Sequence, residues 1–253
     1  MRKVKFIICI FLFMGLLHEA WSQKNIATQS NGWYMYFGNH KLTDKVSLHT
    51  EYQWRRNEII THWQQSLSRI GVDYKLSPTV MVTGGYGYIV SFPYGDQPIA
   101  FTFHEHRIWE QLILTQSSGR FFFNHRFRLE QRYLENRRDN GDGTSSKDGY
   151  TYRSRARYRF LVNVPLNKPA MEQGAIFLSV YDEVFLQFGP NFGQNYLDQN
   201  RLFGAVGYVI SPNANVQAGY LNHFVIKGNA LDAENNHTLQ VSLTYNFDFR
   251  KKE

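Results

Sequence analysis

The sequence predicts an all-β protein, a closed antiparallel up-and-down barrel of the transmembrane kind. Three observations predict it. The chain opens on an export signal, almost all that follows alternates apolar and polar residues with period two, and the alternating segments are joined by connections that are short and long in turn.

Arg2, Lys3 and Lys5 precede an unbroken apolar run from Phe6 to Leu17, and Ala20-Trp21-Ser22 offers small residues at the two positions a signal peptidase reads. Residues 1–22 are therefore expected to be a cleaved signal peptide, and 23–253 one barrel domain. A membrane anchor needs roughly 20 apolar residues, and His18 and Glu19 interrupt this run. Cys9 leaves with the signal, so the mature chain carries no thiol and no disulfide. Losing Arg2, Lys3, Lys5 and Glu19 lowers the net charge from +7 to near +5. No later stretch reaches 18 consecutive apolar residues. Aromatic content is nevertheless high, with 16 Tyr and 20 Phe. An exported, cysteine-free, aromatic-rich chain is expected in the outer membrane of a Gram-negative cell, with a secreted β-sandwich as the competing class.

Eleven segments read as strands. Residues 32–38 are strand-like with imperfect alternation, and 46–55 alternate more clearly. In 62–75, Leu67 is out of phase with Ile70 and Val72, which predicts a bulge. Residues 79–89 set glycine against tyrosine, as a tightly curved strand would, and 103–116 follow. In 120–133 Phe121, Phe123, Phe127, Leu129 and Tyr133 share one face. Arg120, Asn124, Arg126, Arg128, Glu130 and Arg132 share the other. Residues 150–164 set Tyr152, Ala156, Tyr158, Phe160 and Val162 against Arg153, Arg155, Arg157 and Arg159. Weaker alternation marks 175–187, 199–209 and 215–224. The last segment, 237–249, alternates most cleanly: His237, Leu239, Val241, Leu243, Tyr245, Phe247 and Phe249 lie opposite a wholly polar face.

Alternation also occurs in sandwiches, whose strands usually have about 5 or 6 residues; the segments here are roughly twice that. Short connections at Leu76-Ser77-Pro78, Gln116-Ser117-Ser118-Gly119 and Ser211-Pro212-Asn213 alternate with long ones at 91–102, 134–149, 188–198 and 225–236. The turn 165–173 is longer than its short companions and holds Pro165 and Pro169. Single-chain bacterial barrels have even strand numbers. The expectation is therefore twelve strands, the twelfth formed around 24–31, with ten as the alternative.

The runs Glu105-His106-Arg107-Ile108-Trp109-Glu110-Gln111, Leu129-Glu130-Gln131-Arg132-Tyr133, Tyr152-Arg153-Ser154-Arg155 and Tyr181-Asp182-Glu183-Val184-Phe185 carry a resemblance. Gln199-Asn200-Arg201-Leu202 and Gly219-Tyr220-Leu221-Asn222 continue it. Together they resemble a Bacteroidetes-type family of uncharacterised outer-membrane barrels, domain of unknown function 2490, over about 31–249. The resemblance implies an outer-membrane barrel and no particular activity.

If the aromatic faces meet lipid, the charged faces line the lumen. Glu105, Arg107, Arg126, Arg128, Glu130, Arg132, Arg153, Arg155, Arg157, Arg159, Glu183 and Arg201 then form an inward charge network. Like charges on neighbouring strands repel unless carboxylates lie between them, and the arginine fork bridges several acceptors. The expected role is non-enzymatic: either a structural plug of ion pairs or a narrow anion-preferring pathway. Ten or twelve strands lie between side-chain-filled barrels and open porins, so a constriction is expected rather than a wide pore.

The alternative is a lipid-modifying enzyme of acyl-hydrolase type. It needs a nucleophile with a base, yet no His-x-Ser occurs, and neither Ser66 nor Ser179 has a histidine two residues away. A carboxylate pair from Glu105 with Glu130 or Glu183 would be kept ionised by nearby arginines, leaving no acid. His104 and His106 share a strand face, but no further tight His/Asp cluster supports a metal site. No helix or P-loop lysine follows Gly84-Gly85-Tyr86-Gly87-Tyr88, so no phosphate loop is expected there. No cofactor is expected. Arginines confined to a lumen do not reach nucleic acid. The expected partners are outer-membrane lipid and lipopolysaccharide, with Arg137, Arg138 and Arg250–Lys252 near phosphates, and the barrel-assembly machinery during biogenesis; the expected state is monomeric.

Overall fold

The computed structural model describes residues 24–250. The expected signal peptide and the terminal Lys251-Lys252-Glu253 lie outside the described residues. Those described form no helix; all regular structure is strand.

Eleven strands close into one barrel: β1 (Asn25–Lys41), β2 (Val46–Asn57), β3 (His62–Ser77), β4 (Val80–Ser91), β5 (Phe103–Ser118) and β6 (Phe121–Asp139), then β7 (Ser145–Pro165), β8 (Ile176–Phe188), β9 (Leu197–Ser211), β10 (Ala214–Ile226) and β11 (Asp232–Tyr245). Each strand pairs antiparallel with the next in sequence. The ring closes by a parallel pair, β1 with β11, running from Asn25↔Asp232 to Phe37↔Thr244.

The closure corrects the expected twelve or ten strands. Segment 24–31 continues β1 rather than forming a strand of its own. An odd number puts the first and last strands parallel, a ladder with slanted bonds that is only slightly weaker per residue. Two further corrections follow. The connection expected over 134–149 shrinks to 140–144, because β6 and β7 run on past the others. No bulge separates Leu67 from Ile70; their register with β2 is regular, and Leu67 points into the barrel. The irregularity lies at Gln64, where Arg55 pairs with Gln65 and Arg56 with Trp63.

Alternation sets the faces. Leu129, Phe127 and Leu243 point out, and Arg128, Arg155, Arg157 and Glu183 point in and are buried. The outward band of Ile108, Leu129, Val180, Val206 and Leu239 is flanked at both ends by aromatic and imidazole rings. Toward the long-loop end, Tyr86 and Tyr88 hydroxyls lie 2.6 Å from His106 and His104, and Tyr220 lies 2.5 Å from His237. Toward the C-terminal end, Tyr158 lies 2.9 Å from His125, and Phe121, Phe123 and Phe160 stack.

Within the interior Trp33, Tyr181, Phe203 and Leu221 pack together as an apolar cluster, and the Tyr181 hydroxyl donates to the buried Gln240. Trp109 is wholly buried on the floor left by Gly71 and Gly85; a Cβ on Gly85 would stand 2.7 Å from its indole. These inward glycines are the physical reason for the glycine–tyrosine alternation in β4.

Candidate functional site

The inward faces of β2, β3 and β5–β9 bring their charged residues to one level. Across β6 and β7 the direct neighbours are Arg132↔Arg153, Arg128↔Arg157 and Arg126↔Arg159. Such like-charged pairs are repulsive, and carboxylates of β5, β6 and β8 lie among them.

Glu130 is the hub. Arg155 donates to Oε2 through Nε and Nη2 at 2.9 and 2.6 Å, and Arg157 Nη1 donates to Oε1 at 2.8 Å. Arg107 and Arg69 reach Oε1 at 3.3 and 3.4 Å. Glu105 accepts from Arg107 Nε and Nη2 at 2.8 and 2.6 Å and from Arg132 at 2.8 and 2.9 Å. Glu183 joins Arg126, at 2.6 Å, to Arg157, at 3.0 and 2.8 Å. Asp198 takes the remaining Arg155 nitrogen at 2.5 Å, and Glu51 pairs with Arg69. Guanidinium is planar and charged at all relevant pH, so one carboxylate can serve several forks.

Twelve lumen residues were expected from sequence, and all are brought to this interior; Arg128, Arg153, Arg159 and Arg201 make no ion pair among the described residues, and Arg153 is only half-buried. Arg69, Arg55 and Asp198 belong to the lattice and were missed. Arg69 shares a face with Leu67 and Asp73, and Arg55 with Glu51 and Gln53, so strand parity was the available signal.

Positive charge exceeds its partners. Arg55, Arg128, Arg153, Arg159 and Arg201 have no carboxylate at ion-pair distance among the described residues, whereas the other inward arginines do. Neutral oxygens and rings replace it. Arg128 donates to Gln111 at 3.1 and 2.8 Å and lies 4.6 Å over Trp109; Arg159 donates to Asn124 at 3.2 Å. Arg55 lies 3.8 Å over the Trp33 ring.

Above the lattice, toward the long loops, is a cavity of about 230 Å³ lined by seven arginines, Lys227 and His223 against Glu105 and Glu234. Residues 92–102 cross its mouth from β4 to the far wall. Tyr94 donates to Glu234 at 2.8 Å, Lys227 ion-pairs with Glu234, and Gln97 reaches the Asn25 carbonyl at 3.2 Å. Gly95 lies against the Gln29 amide with φ 67°, the left-handed region that favours glycine. Burial, and then the Glu234 carboxylate, push the Tyr94 phenol up, so it stays a donor. A second hollow of about 460 Å³ opens at the C-terminal end beside Lys41, Lys45, Lys75 and Arg250.

Elsewhere the expected candidates separate. His104 and His106 face outward onto tyrosines, and no group of three or more metal-capable side chains occurs among the described residues. Ser66 lies 3.4 Å from Tyr52, and the buried Ser179 hydroxyl has no partner. The histidine nearest a hydroxyl nucleophile is His40, 2.8 Å from Thr50. Its Nδ1 accepts from the Phe247 amide at 3.1 Å, so Nε2 carries the proton and is not a base toward Thr50. Arg137 pairs with Glu135, Arg138 with Asp148, and Arg250 with Asp44 and Asp248.

Neither a curated protein nor a solved structure matches the chain. A family model described as "Protein of unknown function (DUF2490)" matches residues 30–248, from within β1 to beyond β11. The chain therefore belongs to that family, and its barrel spans the matched region.

Proposed function

We propose that the protein is a monomeric, non-enzymatic barrel of the outer membrane, inserted by the barrel-assembly machinery. Its lumen is closed at mid-height by the Arg/Glu lattice and carries free positive charge at the long-loop end, so that what enters is anionic. The membrane reading is supported by the outward apolar band between two rings of aromatics. From His237 to Tyr245 the chain advances on the order of 27 Å along the strand. At a tilt of about 35–45° this is roughly 20 Å of height, within a residue or two of an apolar band about 25 Å tall. Tyrosine–histidine hydrogen bonds satisfy polar tips at the band edges, as interfacial rings require.

The observation that carries the lumen reading is the set of arginines without carboxylates. Arginine does not lose its proton, so burial cannot neutralise it, and an unpaired buried charge draws a counter-anion. A barrel of eleven strands is near the side-chain-filled size rather than the porin size.

Single-channel recording of the purified protein in planar bilayers tests this. Rare, small steps favouring chloride over potassium are expected, with the preference reduced by Arg128→Gln with Arg201→Gln. A large ohmic pore, or potassium preference, would overturn the reading. Release of fatty acid from phospholipid or lipopolysaccharide by pure protein would replace it with the acyl-hydrolase alternative.

A further inference from the structure

We propose that the cavity under the 92–102 loop binds hydrogenphosphate, the dianion of inorganic phosphate, through Arg55, Arg201 and His223. This rests on the anion-receiving lumen proposed above and names its ligand.

Charge is the first argument. Of the guanidiniums lining the cavity, Arg55 and Arg201 alone have no carboxylate at ion-pair distance among the described residues. Arg55 turns its donors to amide oxygens, with Nε 2.9 Å from Gln53 and Nη1 2.8 Å from Gln65. Arg201 donates only Nη2, to Gln199 at 3.0 Å, and its buried Nε has no partner. Two permanent charges facing one cavity call for a ligand carrying two negative charges, and the guanidinium fork fits a tetrahedral oxyanion.

Placement is the second. Both guanidiniums lie over the Trp33 indole, at 3.8 and 4.9 Å, and Arg201 also lies 4.5 Å over Phe185. His223 meets the same indole edge-on at 5.0 Å. Trp33, 1% exposed, is thus a rigid floor that holds three groups before any ligand arrives.

His223 selects among oxyanions. Its Nε2 lies 3.0 Å from Gln199 Oε1, the oxygen that also accepts from Arg201, so Nε2 carries the hydrogen. With that hydrogen on Nε2, Nδ1 of the neutral ring is an acceptor. That Nδ1 is buried and has no partner. Hydrogenphosphate carries a P–OH that can donate to it; sulfate, chloride and the dianion of a phosphate monoester carry none at neutral pH. At ~30 Å³ per water in the liquid, the cavity holds a tetrahedral oxyanion with a few waters. The loop roofs the cavity, and this favours a soluble source over a lipid headgroup.

Calorimetry of the full-length protein folded in detergent provides the test, with sodium phosphate and sodium sulfate at matched ionic strength. A saturable one-to-one isotherm with phosphate is expected, with sulfate roughly tenfold weaker or more, since a site built for a hydrogen bond rejects the analogue lacking it. Arg201→Gln should weaken phosphate at least tenfold, and His223→Phe should bring it down to the sulfate level. Native gel mobility establishes that each variant is folded, and Arg250→Gln at the other end should bind as wild type does. No heat with phosphate, equal binding of sulfate, or unchanged binding by folded Arg201→Gln would overturn the proposal. Saturable binding of phosphatidic acid in mixed micelles, with none of free phosphate, would overturn the soluble source in favour of a lipid headgroup. Failure of phosphate binding while bilayers still show chloride preference removes this ligand alone; potassium preference removes the reading beneath it.

Discussion

Replacing Glu130 with Gln removes one negative charge and almost no volume. In the folded barrel the amide oxygen can still accept, but the amide nitrogen would face guanidinium donors. The loss falls on Arg155, held by two bonds at 2.9 and 2.6 Å, and on Arg157 at 2.8 Å. The weaker reaches of Arg107 and Arg69 at 3.3 and 3.4 Å go with them. Breaking a buried ion pair from one side costs about 3–5 kcal/mol, because the partner charge remains buried. Arg155 keeps Asp198 and Arg157 keeps Glu183, which places Glu130→Gln nearer the lower figure. Urea unfolding in lipid vesicles, followed by the heat-dependent gel shift, reads this directly. The comparison is Asp148→Asn in the β6–β7 hairpin, whose ion pair to Arg138 is exposed on both sides and should contribute less than about 1 kcal/mol. Adding Arg157→Met to Glu130→Gln should recover part of the loss, since Glu183 keeps Arg126 and the charge left uncompensated is then reduced. A Glu130→Gln barrel as stable as Asp148→Asn would refute the idea that this hub holds the lumen together.

Four further outcomes are expected. Leu243→Arg, on the outward face, should cost roughly 2–4 kcal/mol of insertion and reduce folded yield far more than Thr244→Arg on the inward face; equal tolerance would reverse the faces. Gly85→Val should displace the Trp109 indole, 2.7 Å from a Cβ there, and lower stability by about 1–3 kcal/mol or more in the same urea assay. Tyr94→Phe unlatches the 92–102 loop from Glu234, and should speed limited proteolysis within the loop without changing the β circular dichroism. Hydrogen bonds from Arg250 hold the Asp248 carboxyl at about 2. A carboxylate depressed in the folded state contributes stability above its unfolded value and loses it as pH falls through the folded one. The C-terminal clasp of Asp248 and Arg250 should therefore persist at pH 4 and open only near pH 2, as carboxyl carbon shifts would report.

Period-two alternation is a local property, and the sequence alone therefore determined the barrel class, the strand segments and the two faces. Each strand residue points opposite to its neighbours whatever lies beyond. Arg126–Arg132 and Arg153–Arg159 could be placed inside without knowing what they touch. Strand number was not legible in the same way. Whether 24–31 continues the first strand or stands alone depends on its pairing with Asp232–His237, more than two hundred residues away, and no local pattern reports such a ladder. The β6–β7 hairpin ran past its expected ends for a related reason: Arg137 and Arg138 pair across to Lys147 and Ser146 despite polar, loop-like composition. The site shows the same division. Parity put arginines in the lumen, but only closure of the ring decided that Glu130 meets Arg69 from three strands away, and that Arg55 and Arg201 share one indole and lack a carboxylate. Electrostatic partnership depends on distance through space, which the sequence does not carry.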